Sequence, residues 1–190
     1  MKKIVLVAVL VALAPLGSAH AAPPPASSSL LKTSKDIDGN NGIRPFLGAS
    51  GHLDIANVTP AGGNKLVFGL DYLLGNPTGL NFVLGLHMGA GGRAFLLYPL
   101  LEVHYRFALP IPLVPWIGAG VGTRVAFARD QSVHFALGFR FVAGADYFFT
   151  PHLGLGMQLA VPDIGPLFTP TTVASVIGTI EWTLGPHFRF

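Results

Sequence analysis

His134–Phe149, HFALGFRFVAGADYFF, is the stretch on which the fold turns. Phe135, Leu137, Phe139, Phe141, Ala143, Ala145, Tyr147 and Phe149 occupy the odd positions. His134, Ala136, Gly138, Arg140, Val142, Gly144, Asp146 and Phe148 occupy the even ones. A period of two belongs to a strand, whose side chains alternate between two faces. One face is wholly apolar and aromatic; the other carries Arg140, Asp146 and glycines. Two surroundings satisfy such a strand. In a soluble protein the apolar face lines a core. In a membrane barrel it meets lipid, and the polar face lines the interior.

Composition narrows the choice. The 190-residue chain has 12 Lys+Arg, 9 Asp+Glu and no Cys, and charged residues make up only 11% of it. Soluble domains carry about 25%. Lys2 and Lys3, the apolar run Ile4–Leu16 and the small-x-small site Ala19-His20-Ala21 read as a secretory signal over residues 1–21. Without Lys2 and Lys3 the chain is close to neutral, which leaves no electrostatic footprint for nucleic acid. Cysteine-free export gives no disulfide framework and no lipid attachment site. Residues 22–42, APPPASSSLLKTSKDIDGNNG, read as a disordered Pro/Ser-rich periplasmic leader. Beyond the signal no uncharged apolar run is long enough for a transmembrane helix.

From residue 43 to 190 the alternation repeats between turn signals. The expected strands are Arg44–Asp54, Lys65–Leu74, Leu80–Gly89, Phe95–Phe107, Trp116–Ala128, His134–Phe149, His152–Val161 and Thr172–Phe190. Within each, the charged residues share the parity opposite the apolar set. A strand of about ten residues tilted at about 40° rises roughly 25 Å, the height of an outer-membrane apolar band. A soluble ligand-binding barrel of calycin type would need an outer face rich in Lys, Glu and Asp. Here the polar face is mostly Gly, Ala and Ser, suited to a cramped interior. Phe95, Phe107, Phe127, Phe135, Phe149, Trp182 and Phe190 stand near strand ends, as aromatic girdles do. The fold expected is all-β: an eight-stranded antiparallel up-and-down transmembrane barrel.

Three segments add a resemblance. Trp182, Leu184, Phe188 and Phe190 resemble the terminal assembly signal of outer-membrane barrels, with Pro186 interrupting the spacing. Pro115–Gly122, PWIGAGVG, resembles a strand of the OmpA-like and opacity-type small barrels, and Asp146–His152 resembles their strand-to-periplasmic-turn segment. The resemblance covers Ile43–Phe190. It implies insertion by the barrel-assembly machinery, both termini in the periplasm, and outer-membrane lipid and lipopolysaccharide as surroundings for a monomer. Periplasmic turns are then expected at Gly75–Gly79, Ala108–Pro115 and Thr150–His152. Outer loops are expected at Ile55–Asn64, Ala90–Ala94, Arg129–Val133 and Pro162–Thr171. These are short for an adhesive or receptor role.

An eight-stranded interior is just wide enough for side chains to fill. The inward charges are Arg44, Lys65, Asp71, Glu102, Arg106, Arg124, Arg140, Asp146 and Glu181. Buried charges need partners, so a salt-bridge network filling the lumen is expected, with Glu102, Arg124, Arg140 and Glu181 in one group. The alternative is a narrow polar conduit for small solutes, a porin-like role. His52, Asp54, His87, Asp130, Ser132 and His134 read as rim residues. A Ser/His/acid set there would suit a lipid-modifying enzyme, but no local motif surrounds Ser132. A metal site at His52, His87 and His134 would need three convergent imidazoles. Gly118-x-Gly120-x-Gly122 lies in a strand with no helix after it, so it is no dinucleotide loop. The reading is therefore a non-enzymatic barrel without cofactor or metal.

Overall fold

A computed structural model of the chain describes residues 31–53, 65–91, 94–128, 133–168 and 173–190. After a short 3₁₀ turn at Ser34–Asp36 come eight strands: β1 (Asn41–Leu53), β2 (Lys65–Leu74), β3 (Gly79–Gly91), β4 (Ala94–Arg106), β5 (Leu113–Ala128), β6 (Val133–Phe148), β7 (Leu153–Phe168) and β8 (Val173–Arg189). Each pairs antiparallel with its sequence neighbours, and β1 pairs with β8, from Gly42↔Arg189 to Leu53↔Gly178, so the sheet closes on itself. Closure removes every unpaired edge, which a membrane interior demands of strands.

The faces are inverted relative to a soluble protein. Phe141, Met157, Leu80 and Ile117 are 63%, 60%, 58% and 55% exposed. Arg44, Asp71, Glu102, Arg106, Arg140 and Asp146 are buried. Large apolar side chains thus coat the outside and charges fill the inside, which excludes a soluble barrel with an apolar cavity. Tyr105–Phe107, Tyr147–Phe149 and Tyr72–Phe190 form ring pairs at the end that carries the chain termini, and Phe95–Phe127 forms one at the other. Trp182, also outward, stands at mid-strand.

Several boundaries differ from the sequence reading. β5 begins at Leu113, inside the proline-rich stretch expected to be a turn, because Phe107 N–H still donates to Pro115 C=O across the ladder. β7 continues through Pro162 to Phe168, where a loop was expected. A register irregularity between Ala160 and Asp163 admits the proline, since a bulge leaves a backbone position unpaired. Before it the buried positions of β7 are even (Gly154, Gly156, Gln158, Ala160); after it Gly165 is buried, so the parity has switched. In β4 the ladder to β5 skips Tyr98 and Pro99 and resumes in the same register at Leu100↔Gly122. The expected loops Ile55–Asn64 and most of Arg129–Val133 lie outside the described residues.

The leader reading does not extend over residues 31–42. Ser34 and Ile37 are buried, and Asn41–Gly42 already belong to β1. Thr33 caps the 3₁₀ turn, its backbone N–H and hydroxyl both donating to Asp36. Ile37 packs with Val114 and Phe148 at the terminal end of the barrel. Composition showed the polar majority here and passed over one capping box and one isoleucine.

Candidate functional site: the charged lumen

Alternation turns one residue of every strand pair inward, and closure brings them within reach of each other. Arg140 of β6 stands at the centre. Its Nε lies 3.1 Å from Glu102 Oε1 of β4, and its Nη2 donates to Glu181 Oε1 of β8 at 3.1 Å. Glu181 Oε1 also lies 2.9 Å from His87 Nδ1, whose Nε2 lies 3.0 Å from Asp71 Oδ1. Arg44 donates to Asp71 Oδ2 from Nε at 3.2 Å and from Nη2 at 2.6 Å, and also to Gln158 Oε1. Arg44 Nη1 approaches Asp146 Oδ1 at 3.9 Å; Asp146 Oδ2 accepts from Arg106 and lies 3.1 Å from His187 Nδ1. His104 Nε2 meets Glu102 Oε2 at 2.6 Å. The contacts run without a break from Glu102 and Arg140 to His187.

Aromatic rings fill the space between. His104 stacks on Trp116 with centroids 4.2 Å apart, and Arg44 lies over the same indole at 5.2 Å. Arg124 lies over Tyr98 at 4.8 Å and donates to Thr179 Oγ1 at 2.9 Å. Of the four residues expected to form one group, Glu102, Arg140 and Glu181 touch directly, while Arg124 sits on a branch through Tyr98 and Thr179. Lys65 is buried at the start of β2.

Glycines make this packing possible. Gly120 pairs with Glu102 on one side and Arg140 on the other. A Cβ at Gly120 would lie 2.5 Å from Glu102 Cγ, in the path by which Arg140 reaches that carboxylate. Trp116 faces Gly144, Asp146 faces Gly156 and Asp71 faces Gly85 in the same way. The G-x-G-x-G of β5 is a row of clearances for the side chains of β4 and β6.

Sequence reasoning places His87 at the rim; it is buried between two carboxylates. His104 has the inward parity of Glu102 and Arg106, and His187, buried near the end of β8, is the histidine that the sequence reading passes over. Among the described residues no group of three His, Cys, Asp or Glu is arranged to hold a metal. Asp54, Asp130 and Ser132 lie outside the described residues, as does the side chain of His52. His134 of β6 pairs with Ala126 of β5. Trp182, Leu184, Phe188 and Phe190 all face outward, and β8 runs through Pro186 opposite Leu155.

No protein-family model and no curated protein matches this chain. Solved structures do. Neisserial surface protein A superposes with a TM-score of 0.60 at 14% identity, over 79% of this chain and 96% of that one. The N-terminal β-barrel domain of OprF from Pseudomonas aeruginosa gives 0.57 at 16% identity, over 80% and 100%. The outer membrane protein OprG from Pseudomonas aeruginosa gives 0.53 at 15% identity, over 81% and 97%. The chain has the fold of these small outer-membrane barrels.

Proposed function

We propose that this outer-membrane barrel is a non-catalytic structural element of the envelope, with a lumen closed by its own ion pairs. The observation that carries the reading is the unbroken chain of contacts from Glu102 to His187, which engages strands from all around the wall. Each carboxylate in it meets more than one basic or polar partner. Removing one partner of such a set leaves a charge buried and unpaired, which is strongly unfavourable. A permanent water path through the same space would have to break several of these contacts at once. The low charge of the outer face fits lipid chains and lipopolysaccharide as the surroundings, and the outward row Trp182, Leu184, Phe188 and Phe190 offers the assembly machinery a strand face at the β1–β8 seam.

The catalytic alternative loses one of the three imidazoles of its rim set. His87 is held by Asp71 and Glu181 inside the wall, away from any rim where a lipid could reach it. Mass spectrometry of lipid A from cells overproducing the protein should give an unchanged profile; a new acylated or deacylated species would install the enzymatic reading. Liposomes carrying the purified protein should swell in isotonic sugar no faster than empty ones. Rapid swelling would replace the structural role with solute passage.

A further inference from the structure

We propose that residues 31–40 are a releasable strap that closes the periplasmic mouth of the barrel. The segment touches all three turns at that end. Ser34 binds the β4–β5 turn: its Oγ donates to Leu109 C=O at 2.8 Å and accepts from Leu109 N–H at 2.9 Å. Asp38 N–H donates to Pro151 C=O in the β6–β7 turn at 3.1 Å. Asn40 C=O accepts from Gly75 N–H in the β2–β3 turn at 2.8 Å. Gly39, at φ +93°, passes so close to the chain end that a Cβ would lie 2.6 Å from Phe190 N. A chain that visits every turn around a ring lies across its opening.

The strap is coupled to the lumen through one aromatic ring. Ile37 packs on Val114 and Phe148, both buried and inward-facing. On its other side Phe148 stands 5.1 Å from the ring of His187, which in turn contacts Asp146. Lifting Ile37 therefore uncovers Phe148, and behind Phe148 lies the foot of the charge network. The strap is also separable from the barrel. Within residues 31–40 only Ser34 and Ile37 are buried, with Leu31 half-buried against the same cluster, and the β1–β8 ladder closes the wall without help from this segment. A region with few buried apolar contacts and exposed hydrogen bonds belongs to the low-stability end of a fold and opens before the rest.

The chain has no cysteine, so a single Val114→Cys substitution reports on the floor of the lumen. In the strapped barrel this thiol should resist a charged, membrane-impermeant maleimide. Ile37→Asp, or removal of residues 31–38, should speed labelling at least tenfold while heat-modifiable gel mobility shows an intact barrel. Equal labelling with and without the strap, at either rate, would overturn the proposal. Hydrogen exchange on the unaltered protein gives a second check that no variant can spoil. The amides of Asp38 and Leu109 should exchange faster than those of the β5–β6 ladder. Exchange of both only together with that ladder would show that the strap does not open by itself. The readout is reactivity at Val114 and not conductance, so a barrel that conducts only once the strap is removed would sink the closed-lumen reading and leave this one standing.

Discussion

Arg140 holds two carboxylates from opposite sides of the barrel, Glu102 on β4 and Glu181 on β8. Arg140→Ala leaves both buried with fewer counter-charges, a change expected to cost about 3–5 kcal/mol. Urea unfolding in lipid vesicles, followed by heat-modifiable mobility, measures it; a loss below about 1 kcal/mol would mean that the pairs contribute little. Gly120→Val should mimic that loss without removing a charge, because its side chain would occupy the clearance beside Glu102. The sequence already placed Arg140, Glu102 and the glycines on the inner face by parity alone. It could not say which glycine faces which charge, because that depends on the register between strands, set by turn geometry and closure. The same gap hid His87: its height in the wall, not its face, decides whether it is rim or core.

At the scale of the strand, one face meets lipid and the other meets the network. Phe141 stands at the centre of β6 on the outer face, and Phe149 just past the strand's C-terminal end. Phe141→Arg should destabilise the barrel by about 2–4 kcal/mol and Phe149→Arg by about 0–1 kcal/mol, the depth dependence expected across a bilayer. Equal penalties at both sites in a vesicle unfolding assay would contradict the lipid-facing assignment. The strap gives a different prediction. Hydrogen bonds from Thr33 hold the Asp36 carboxyl below its ordinary range. A lowered folded-state value means that this capping contributes above the ordinary carboxylate range and fades as pH falls through the folded-state value. Protection of the Thr33 amide, its exchange rate taken against the intrinsic rate at the same pH, should therefore fall under acid, and a pH-independent protection would count against the capping box. Strand existence and facing were legible because alternation is a local signal. The extension of β7 past Pro162 was not, since it requires a bulge that only the pairing with β6 and β8 reveals.

The whole molecule is a closed ring whose outside resembles the core of a soluble protein and whose inside holds a charge network among apolar and aromatic side chains. Among the described residues, six Lys and Arg side chains, three histidines and four carboxylates are buried: Arg44, Lys65, Arg106, Arg124, Arg140 and Arg189, His87, His104 and His187, with Asp71, Glu102, Asp146 and Glu181. The eight-stranded architecture followed from counting amphipathic segments between turns. The contacts across the lumen did not, because parity names the inward residues without showing whether they meet. The strap was invisible for a further reason: its hold on the barrel comes from three turns far away in sequence. Single-channel recording of the purified protein in a planar lipid bilayer tests the central claim most directly. A lumen closed by the contacts proposed from Glu102 to His187 predicts a flat trace at neutral pH; steady, ohmic openings of the unaltered protein would contradict it.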